Sequence, residues 1–304
     1  MIEAVNLAKE FGSFVAVRDI SLQVEEGEVV ALLGPNGAGK TTTVRMLSAI
    51  LKPTRGYARV AGYDTVTDGK MVRHLIGVLT EFPGLYSRMR GINYLKFFGE
   101  LQAMSADQIQ QRSEKLLRRF ELWDAHDRQI GKYSKGMKQK LTLVRAMLHD
   151  PNVLFLDEPT SAMDPQSAKL VRDSIMELRA DKRTVILCTH NLNEAELLAD
   201  RIAIVRQGEI VIEGTPAELK RRLLGHPLME LRTNNSINGI VGYLNEKTTV
   251  VEQGENWIRY TIAEPEQFNP TLLNELNRQQ ISVVTLSEIQ RSLEDVYLSI
   301  VTHK

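Results

Sequence analysis

Apolar and polar residues alternate over residues 2–24, as they do in half-buried antiparallel strands. Gly12 and Ser13 interrupt this alternation and predict a turn between two strands. Further along, short runs are apolar almost throughout, which is typical of parallel strands covered on both faces. They occupy residues 28–33, 76–79, 153–156 and 184–188. Two more strand patterns, 201–205 and 209–213, flank Gln207 and Gly208 and predict a hairpin.

Between these strands, apolar residues recur at the spacing of helices in three regions. The regions are residues 42–51, 91–119 and 137–147. Pro53 and Gly56 follow the first region and predict its end. The second predicts a small helical insert, whose basic residues, Arg112 among them, fit a solvated helix face. The pattern as a whole predicts an α/β protein.

The pattern changes after Gly225, where short strands and helices follow one another. They are expected at residues 228–232, 237–244, 248–251, 257–262, 271–276, 281–286 and 293–301. This order of elements resembles a small ferredoxin-like module of α+β type: strand, helix, strand, strand, helix, strand, helix. We therefore divide the chain into residues 1–225 and an accessory domain of residues 226–304, in which no catalytic constellation is evident.

Length and composition fit two soluble globular domains: the chain has 304 residues, of which 43% are hydrophobic and 25% charged. No segment approaches the ~18 uninterrupted apolar residues of a membrane span, and the start lacks a secretory signal pattern. The single cysteine, Cys188, fits a reducing compartment. Lysine plus arginine and aspartate plus glutamate each number 38, so no basic footprint is visible and nucleic acid is not expected as a partner.

The segment from Gly34 to Thr41 fits the pattern G-x-x-x-x-G-K-[ST] of a phosphate-binding loop, between a strand run and a helical pattern. Glycines let several backbone N–H groups point at one anion, and the helix dipole adds positive potential. Lys40 would reach the β- and γ-phosphates, Thr41 would bind Mg²⁺ and Thr42 would lie near the α-phosphate. The complete loop is Gly34, Pro35, Asn36, Gly37, Ala38, Gly39, Lys40 and Thr41.

Candidate catalytic side chains stand where two buried strands end. Asp157 and Glu158 follow the run 153–156, and they point differently because strand side chains alternate. One carboxylate can hold Mg²⁺ while the other faces a nucleophilic water, with an ordinary acidic turn as the alternative. His190 follows the run 184–188 in the same way, unless it is a histidine at the edge of the core. Phe11, beside the first turn, could stack on a base or could be an ordinary strand-end aromatic.

A second helix start follows Tyr133. Ser134 is a candidate N-cap for the helix that runs to residue 147, and Gly136 flanks it. Free N–H groups at such a helix start can bind an anion, although most capped helices bind nothing. Taken alone, the segment is a weak candidate for a second anion site.

Together, these motifs occur in the order and approximate spacing of the nucleotide-binding domain of ATP-binding cassette (ABC) transporters, which residues 2 to about 222 resemble. The motifs are Phe11 and residues 34–41, 133–137, 156–159, 161–164 and 189–190. The resemblance implies a P-loop NTPase core of RecA-like type, an antiparallel β subdomain, and a helical subdomain at about residues 85–150.

The resemblance also implies a reaction, the hydrolysis of ATP with Mg²⁺. Phe11 would then be the aromatic that stacks on adenine, and Asp157 would be the carboxylate on the Mg²⁺ side. Glu158 would be the general base, and His190 would contact the γ-phosphate.

A further implication is a second cassette subunit, expected to be another copy of the same chain. In this family the serine–glycine motif of one subunit closes on the phosphate loop of the other. Ser134 and Gly136, with Lys135 between them, would therefore complete the site in trans, and Asp164 would lie near the seam of the dimer.

The chain departs from the family's pattern at several positions. Glu81 stands where a lid glutamine is usual; a carboxylate can lie near Mg²⁺ but cannot donate a hydrogen bond when ionised. Lys135 replaces a glycine, and it either adds a cation near the triphosphate, if the backbone permits a side chain, or points to solvent. Met137 loses an amide, and Ala162-Met163 replace Gly-Leu at the dimer seam.

The end of the chain narrows the expected class of cassette subunit. Residues 292–298 resemble the C-terminal pattern of cassette subunits that serve multidrug, antibiotic-resistance or sodium exporters. We therefore expect an ATPase subunit at the cytoplasmic face of the membrane that powers a separate permease, as an exporter of a drug, antibiotic, ion or lipid. The alternative is a soluble ABC ATPase that acts on ribosomes or nucleic acid, which usually carries two cassettes or a long coiled coil. Glu158 disfavours a regulatory binder that does not hydrolyse nucleotide.

Overall fold

The computed structural model describes residues 1–80, 84–161, 163–289, 291–294 and 297. Two compact units divide the chain, Met1–Thr215 and Pro216–Lys304. This division falls before the expected boundary at 225/226, because the helix Pro216–Leu224 belongs to the second unit. The accessory role of residues 226–304 stays a prediction.

A single sheet runs through the first unit. Its strands are β1 (Ile2–Phe11), β2 (Phe14–Val24), β3 (Val29–Leu33), β4 (Arg55–Val60), β5 (Tyr63–Asp64), β6 (Ile76–Leu79), β7 (Val153–Asp157), β8 (Thr184–Thr189), β9 (Arg201–Arg206) and β10 (Glu209–Gly214). Their order is β5-β4-β1-β2-β10-β9-β3-β8-β7-β6. Strands β9 to β6 are mutually parallel, whereas β5, β4, β1 and β2 pair antiparallel. The predicted hairpin of β9 and β10 is confirmed.

The middle of this sheet forms the core of the unit. β3, β7 and β8 are buried at every residue, as expected for parallel strands covered on both faces. Leu32, Phe155 and Ile186, one from each strand, belong to a single buried cluster. Because β8 pairs in parallel with both β3 and β7, the segments that follow these three strands lie at the same edge of the sheet.

Helices connect the strands of the first unit. They are α1 (Lys40–Leu47), α2 (Gly69–Leu75), α3 (Gly91–Leu101), α4 (Ala106–Arg119), α5 (Lys135–Met147), α6 (Pro165–Ala180) and α7 (Leu192–Leu198). Ser105 begins α4 with a capping box, in which its hydroxyl and the side chain of Gln108 bond each other's backbone N–H. The predicted helical insert at 91–119 is confirmed as α3 and α4.

The second unit is a smaller α+β fold. Its elements are α8 (Pro216–Leu224), β11 (Leu228–Thr233), α9 (Asn238–Lys247), β12 (Thr249–Gln253), β13 (Trp257–Thr261), α10 (Pro265–Arg278) and β14 (Val283–Glu288). The sheet order is β12-β13-β11-β14, with antiparallel neighbours throughout. The predicted element order is confirmed through β14, although α10 begins well before residue 271. Most of the helix expected at 293–301 lies outside the described residues.

Candidate functional site

The phosphate loop joins the end of β3 to the start of α1, and glycine is required at both of its ends. A Cβ atom on Gly34 would lie 2.2 Å from the carbonyl oxygen of Val205. A Cβ atom on Gly39 would lie 2.8 Å from the carbonyl oxygen of Ala16, at a φ of +105° that strains any side chain. Because α1 begins directly after Gly39, the positive end of its dipole is directed at the loop.

Lys40, the first residue of α1, is folded into this loop and is only 6% exposed. Its Nζ donates hydrogen bonds to the carbonyl oxygens of Gly34, at 2.6 Å, and Pro35, at 3.1 Å. A buried ammonium group is stable only with compensating polar partners or an anion. The loop therefore combines a helix start with a buried cation, which are the two features of a phosphate site.

A cavity of about 330 Å³ adjoins the loop. Asp157 and Glu158 line it, together with Phe14 and Ala16 of β2. The loop contributes Asn36, Gly37, Ala38, Gly39, Lys40, Thr41 and Thr42 to the lining. The fold thus brings the predicted phosphate loop and the predicted carboxylates to one cavity.

Two aromatic residues stand at the turn between β1 and β2. Phe11 pairs in register with Phe14 across Gly12-Ser13. The ring of Phe11 is 50% exposed, and Lys9 Nζ lies 5.1 Å from its centroid. Phe14, which the sequence analysis missed, is the member of the pair that lines the cavity. A second aromatic residue directly after the Gly12-Ser13 turn was the signal for it.

The two adjacent carboxylates differ in environment. Asp157 ends β7, pairs with Cys188 on β8 and is 1% exposed. Glu158 turns out of the strand with a φ of +51°, while its N–H bonds the Cys188 carbonyl oxygen at 2.9 Å. Burial raises the pKa of the Cys188 thiol well above its usual value, and the charge of Asp157 adds to this rise. Cys188 is therefore a neutral neighbour of the site.

His190 lies directly against Glu158. Its Nδ1 is 2.8 Å from Glu158 Oε1, with the histidine side chain 59% exposed and the glutamate 12% exposed. A proton on Nδ1 makes this contact a hydrogen bond to the carboxylate. The structure thus brings together both predicted catalytic residues, although they follow different strands.

Gln139 of α5 also contacts Glu158. Its Nε2 donates to the Glu158 carbonyl oxygen at 3.2 Å, and the residue is 9% exposed. Sequence reasoning missed this contact, because a glutamine on a helix gives no signal of its own. The buried amide links the helix that begins at Ser134 to the backbone of the proposed base.

The second helix start lies apart from this cavity. Ser134 caps α5 by accepting a hydrogen bond from the backbone N–H of Met137 at 3.1 Å. Ser134 and Lys135 are exposed, and Gly136 is half-buried. None of the three is among the described residues that line the cavity.

Asp164 is the N-cap of α6, since its Oδ1 accepts from the Ser167 N–H at 2.9 Å. That hydrogen bond lowers the pKa of the Asp164 carboxyl below its usual value. Glu81 and Ala162 lie outside the described residues. Within the described part of the chain, no cluster of three or more His, Cys, Asp or Glu side chains can hold a metal alone. Mg²⁺ usually takes one or two carboxylates plus phosphate oxygens, so Thr41 and Asp157 in one cavity fit it.

Two family models match the chain. One, described as ABC transporter, matches residues 17–161, and the other, described as ATP-binding protein DrrA1-3-like, C-terminal domain, matches residues 214–301. Together they cover parts of both compact units.

Several curated proteins are similar over long stretches. The uncharacterized ABC transporter ATP-binding protein YxlF of Bacillus subtilis is 36% identical, over 99% of each chain. The daunorubicin/doxorubicin resistance ATP-binding protein DrrA of Streptomyces peucetius is 36% identical, over 99% of this chain and 92% of its own. The ABC transporter ATP-binding protein NatA of Bacillus subtilis is 38% identical, over 74% and 92% respectively.

Two solved structures are similar to this chain in fold. An ATP binding subunit of an ABC transporter has a TM-score of 0.69 at 29% identity, covering 74% of this chain and 94% of its own. A dimeric cassette, MJ0796, in a post-hydrolysis state with ADP and Pi, has a TM-score of 0.66 at 25% identity, covering 71% and 98%. Fold and site together define an ATPase of the P-loop cassette type. The chain belongs to the family of ABC transporter ATP-binding proteins.

Proteins of this family bind ATP with Mg²⁺, form dimers and work with membrane permeases. In the described residues of this chain, every helix is too short or too polar to cross a membrane.

Proposed function

We propose that this chain is the ATP-hydrolysing subunit of an exporter whose permease is a separate protein. The observation that carries the proposal is the cavity in which the buried Lys40 and the pair Asp157 and Glu158 meet, with His190 against Glu158. Two resistance proteins, DrrA described above and the linearmycin resistance ATP-binding protein LnrL of Bacillus subtilis, 31% identical over 99% of this chain and 98% of its own, favour export of a drug-like or antibiotic substrate. They also favour a transporter over a soluble cassette acting on ribosomes or nucleic acid.

The proposed ligand is MgATP. Lys40 and the loop backbone would hold the phosphates, Thr41 and Asp157 would hold Mg²⁺, and Phe11 or its neighbour Phe14 would stack on adenine. Mg²⁺, when bound, neutralises charge on the phosphate oxygens. Glu81 stays a proposed neighbour of the metal.

For hydrolysis, we assign Glu158 as the general base that orients and deprotonates water. His190 already lies within hydrogen-bonding distance of Glu158 and is more exposed, so its ring can turn towards a γ-phosphate. Lys40 would stabilise the negative charge that spreads over the phosphoryl oxygens. Glu158 would thus move the proton, while Lys40 and His190 would contact the phosphoryl oxygens.

A second copy of the chain is the proposed partner in this step. Ser134, Lys135 and Gly136 lie outside the cavity of their own subunit and are open to solvent in part or in full. The hydroxyl of Ser134 accepts its capping bond, so its proton remains available to an oxygen of nucleotide bound by another subunit. Asp164 would lie at the seam, and the assembly would sit on the cytoplasmic face of the membrane.

The test is Glu158→Gln, which keeps the shape of the side chain and removes its basic oxygen. The rate of ATP hydrolysis should fall by a factor on the order of 10² or more, while binding survives. Blocked hydrolysis should also trap a dimer with ATP but not with ADP, visible as doubled mass in sizing chromatography.

Ser134→Arg in the same chain is the matched control, since it places bulk at the exposed helix start and spares the subunit's own loop. It should abolish the ATP-dependent dimer while MgATP binding to the monomer remains. A Glu158→Gln protein that hydrolyses ATP at the wild-type rate would refute the catalytic assignment. An inactive one that stays monomeric with ATP would refute the homodimer and point to an unlike cassette subunit.

A further inference from the structure

Glu194, which lies outside the predicted motifs, has a buried carboxylate that bonds to residues at the ends of two strands. These are Thr160, in the loop after β7, and Thr189, at the end of β8. Glu194, on α7, is 3% exposed. Its Oε1 accepts a hydrogen bond from Thr160 Oγ1 at 2.7 Å, and its Oε2 accepts one from Thr189 Oγ1 at 2.8 Å. Each carboxylate oxygen is thus bonded to a different loop.

Both threonines stand next to proposed catalytic residues. Thr160 lies two positions after Glu158, in the loop that leaves β7. Thr189 ends β8 immediately before His190 and is fully buried. The carboxylate of Glu194 therefore lies between the loops that carry the two side chains in contact at 2.8 Å.

Glu194 is itself held in place by the helix start. Its backbone N–H donates to Asn191 Oδ1 at 3.1 Å, and the Asn191 N–H donates to Thr189 Oγ1 at 3.0 Å. Thr189 thus donates its own proton to the carboxylate and accepts from the backbone two residues on. This closed arrangement leaves little freedom in the turn that carries His190.

If the role of Glu194 were only structural, any hydrogen-bond donors would serve, since a buried carboxylate without partners is costly. Water or the helix's own N–H groups could do that. Here the hydroxyl donors come from the two loops whose separation sets the contact between Glu158 and His190.

We propose that Glu194 is a positioning residue for ATP hydrolysis, which fixes the spacing of the Glu158 and His190 loops by binding Thr160 and Thr189 at once. The inference rests on the roles proposed above for Glu158 and His190. It assigns no contact between Glu194 and nucleotide. Misplacement by about 1 Å can slow an enzyme on the order of 10²-fold, so the contribution is measurable.

The experiment compares Glu194→Ala with Glu194→Gln in the full chain. A glutamine oxygen can accept from one threonine while its amide donates to the other, so the bridge is kept. We expect Glu194→Ala to lower kcat by about ten- to a hundredfold with KM within about twofold, and Glu194→Gln to restore most of the rate. Asn193→Ala, at an exposed position of the same helix, is the control and should leave kcat unchanged.

Thr160→Val and Thr189→Val each remove one donor and leave the carboxylate in place, and Thr189→Val also removes the oxygen that accepts from the Asn191 N–H. Each should lower kcat, and Thr160→Val should not lower it further when added to Glu194→Ala, because the bridge is already lost. The imidazole ¹⁵N chemical shift of His190 should move in Glu194→Ala and return in Glu194→Gln. If Glu194→Ala fails to fold, the Gln and Val variants still decide the matter.

A folded Glu194→Ala protein with wild-type kcat would overturn the inference. So would an additive loss when Thr160→Val is combined with Glu194→Ala, or wild-type kcat in both threonine variants. Glu158→Gln is assayed beside them: if it too hydrolyses ATP normally, the proposed catalytic roles fail. If it is inactive while the Glu194 variants are unaffected, only the present inference fails.

Discussion

Two helix starts of the first unit, those of α1 and α5, carry glycine and lysine in the predicted motifs, and they differ in nearly every physical respect. At α1 a Cβ atom on Gly39 would lie 2.8 Å from backbone, whereas at α5 a Cβ atom on Gly136 would meet nothing within 4 Å. Lys40 is buried and bonded to the loop, whereas Lys135 is exposed. The same residue types therefore build a closed cradle in one place and an open surface in the other.

The difference bears on whether one chain or two would form each site. The α1 start has its cation, its glycine turns and a cavity within one chain. The α5 start offers a capped serine and helix N–H groups to solvent, which is half of a site at most. The proposed dimer rests on this difference, because a second subunit would bring its bound nucleotide to the open helix start.

Lys40→Ala tests the closed site and should have the largest effect on binding. It removes the buried cation and leaves the carbonyl oxygens of Gly34 and Pro35 without their donor. MgATP affinity should fall by about a hundredfold, as for the loss of charge-assisted hydrogen bonds. Lys135→Ala removes the same charge from the open site and should leave single-subunit affinity within about twofold. Calorimetric titration measures both, and equal affinities in the two variants would remove the contrast.

A pair of glycine substitutions tests the backbone of each site. Gly39→Ala should lower the free energy of unfolding by about 1–3 kcal/mol, because its φ of +105° strains a side chain. Gly136→Ala lies in the first turn of α5 and should raise that free energy by up to about 1 kcal/mol. Urea unfolding of the two proteins gives the comparison. Destabilisation by Gly136→Ala would mean that the open site is strained after all.

Lys135→Gly is the subtlest test. Lys135 is helical and exposed, so the backbone permits the side chain that this chain carries in place of the family's glycine. The ATP-driven dimerisation constant should change less than about twofold, as for other exposed charges. Its salt dependence should also match that of the parent protein. A weaker dimer with a flatter salt dependence would instead place the ammonium group beside the partner's triphosphate.

Much of the site could be predicted because its motifs are local. The strand, glycine loop and helix around Lys40 are contiguous. Asp157 ends one strand and His190 directly follows another, and the apolar runs of both strands are unmistakable. That these strands end at one edge followed from their parallel character. By contrast, Glu194 bonds to Thr160 and Thr189, which lie in two other segments of the chain. No periodicity in the sequence predicts these hydrogen bonds.

Other features depended on tertiary contacts in the same way. Arg112, expected on a solvated face, donates instead to the carbonyl oxygens of Met147 and Leu148 at the end of α5. The last carbonyls of a helix have no partner within it, so the guanidinium supplies a donor to both, and the Met147 carbonyl oxygen also accepts from the Asp150 N–H at 3.2 Å. The early start of α10 at Pro265 has a local cause instead: proline is well placed in a first helical turn, which the apolar spacing does not indicate.

The buried thiol of Cys188 has a practical consequence. It is the single cysteine of the chain, it is fully shielded, and its pKa is raised, so it stays a thiol and resists alkylating reagents while the fold is intact. The native sequence is therefore a ready background for site-directed labelling. A cysteine introduced at an exposed position such as Lys135 would be the reactive one, and a fluorophore or cross-linker attached there would report on the open helix start alone.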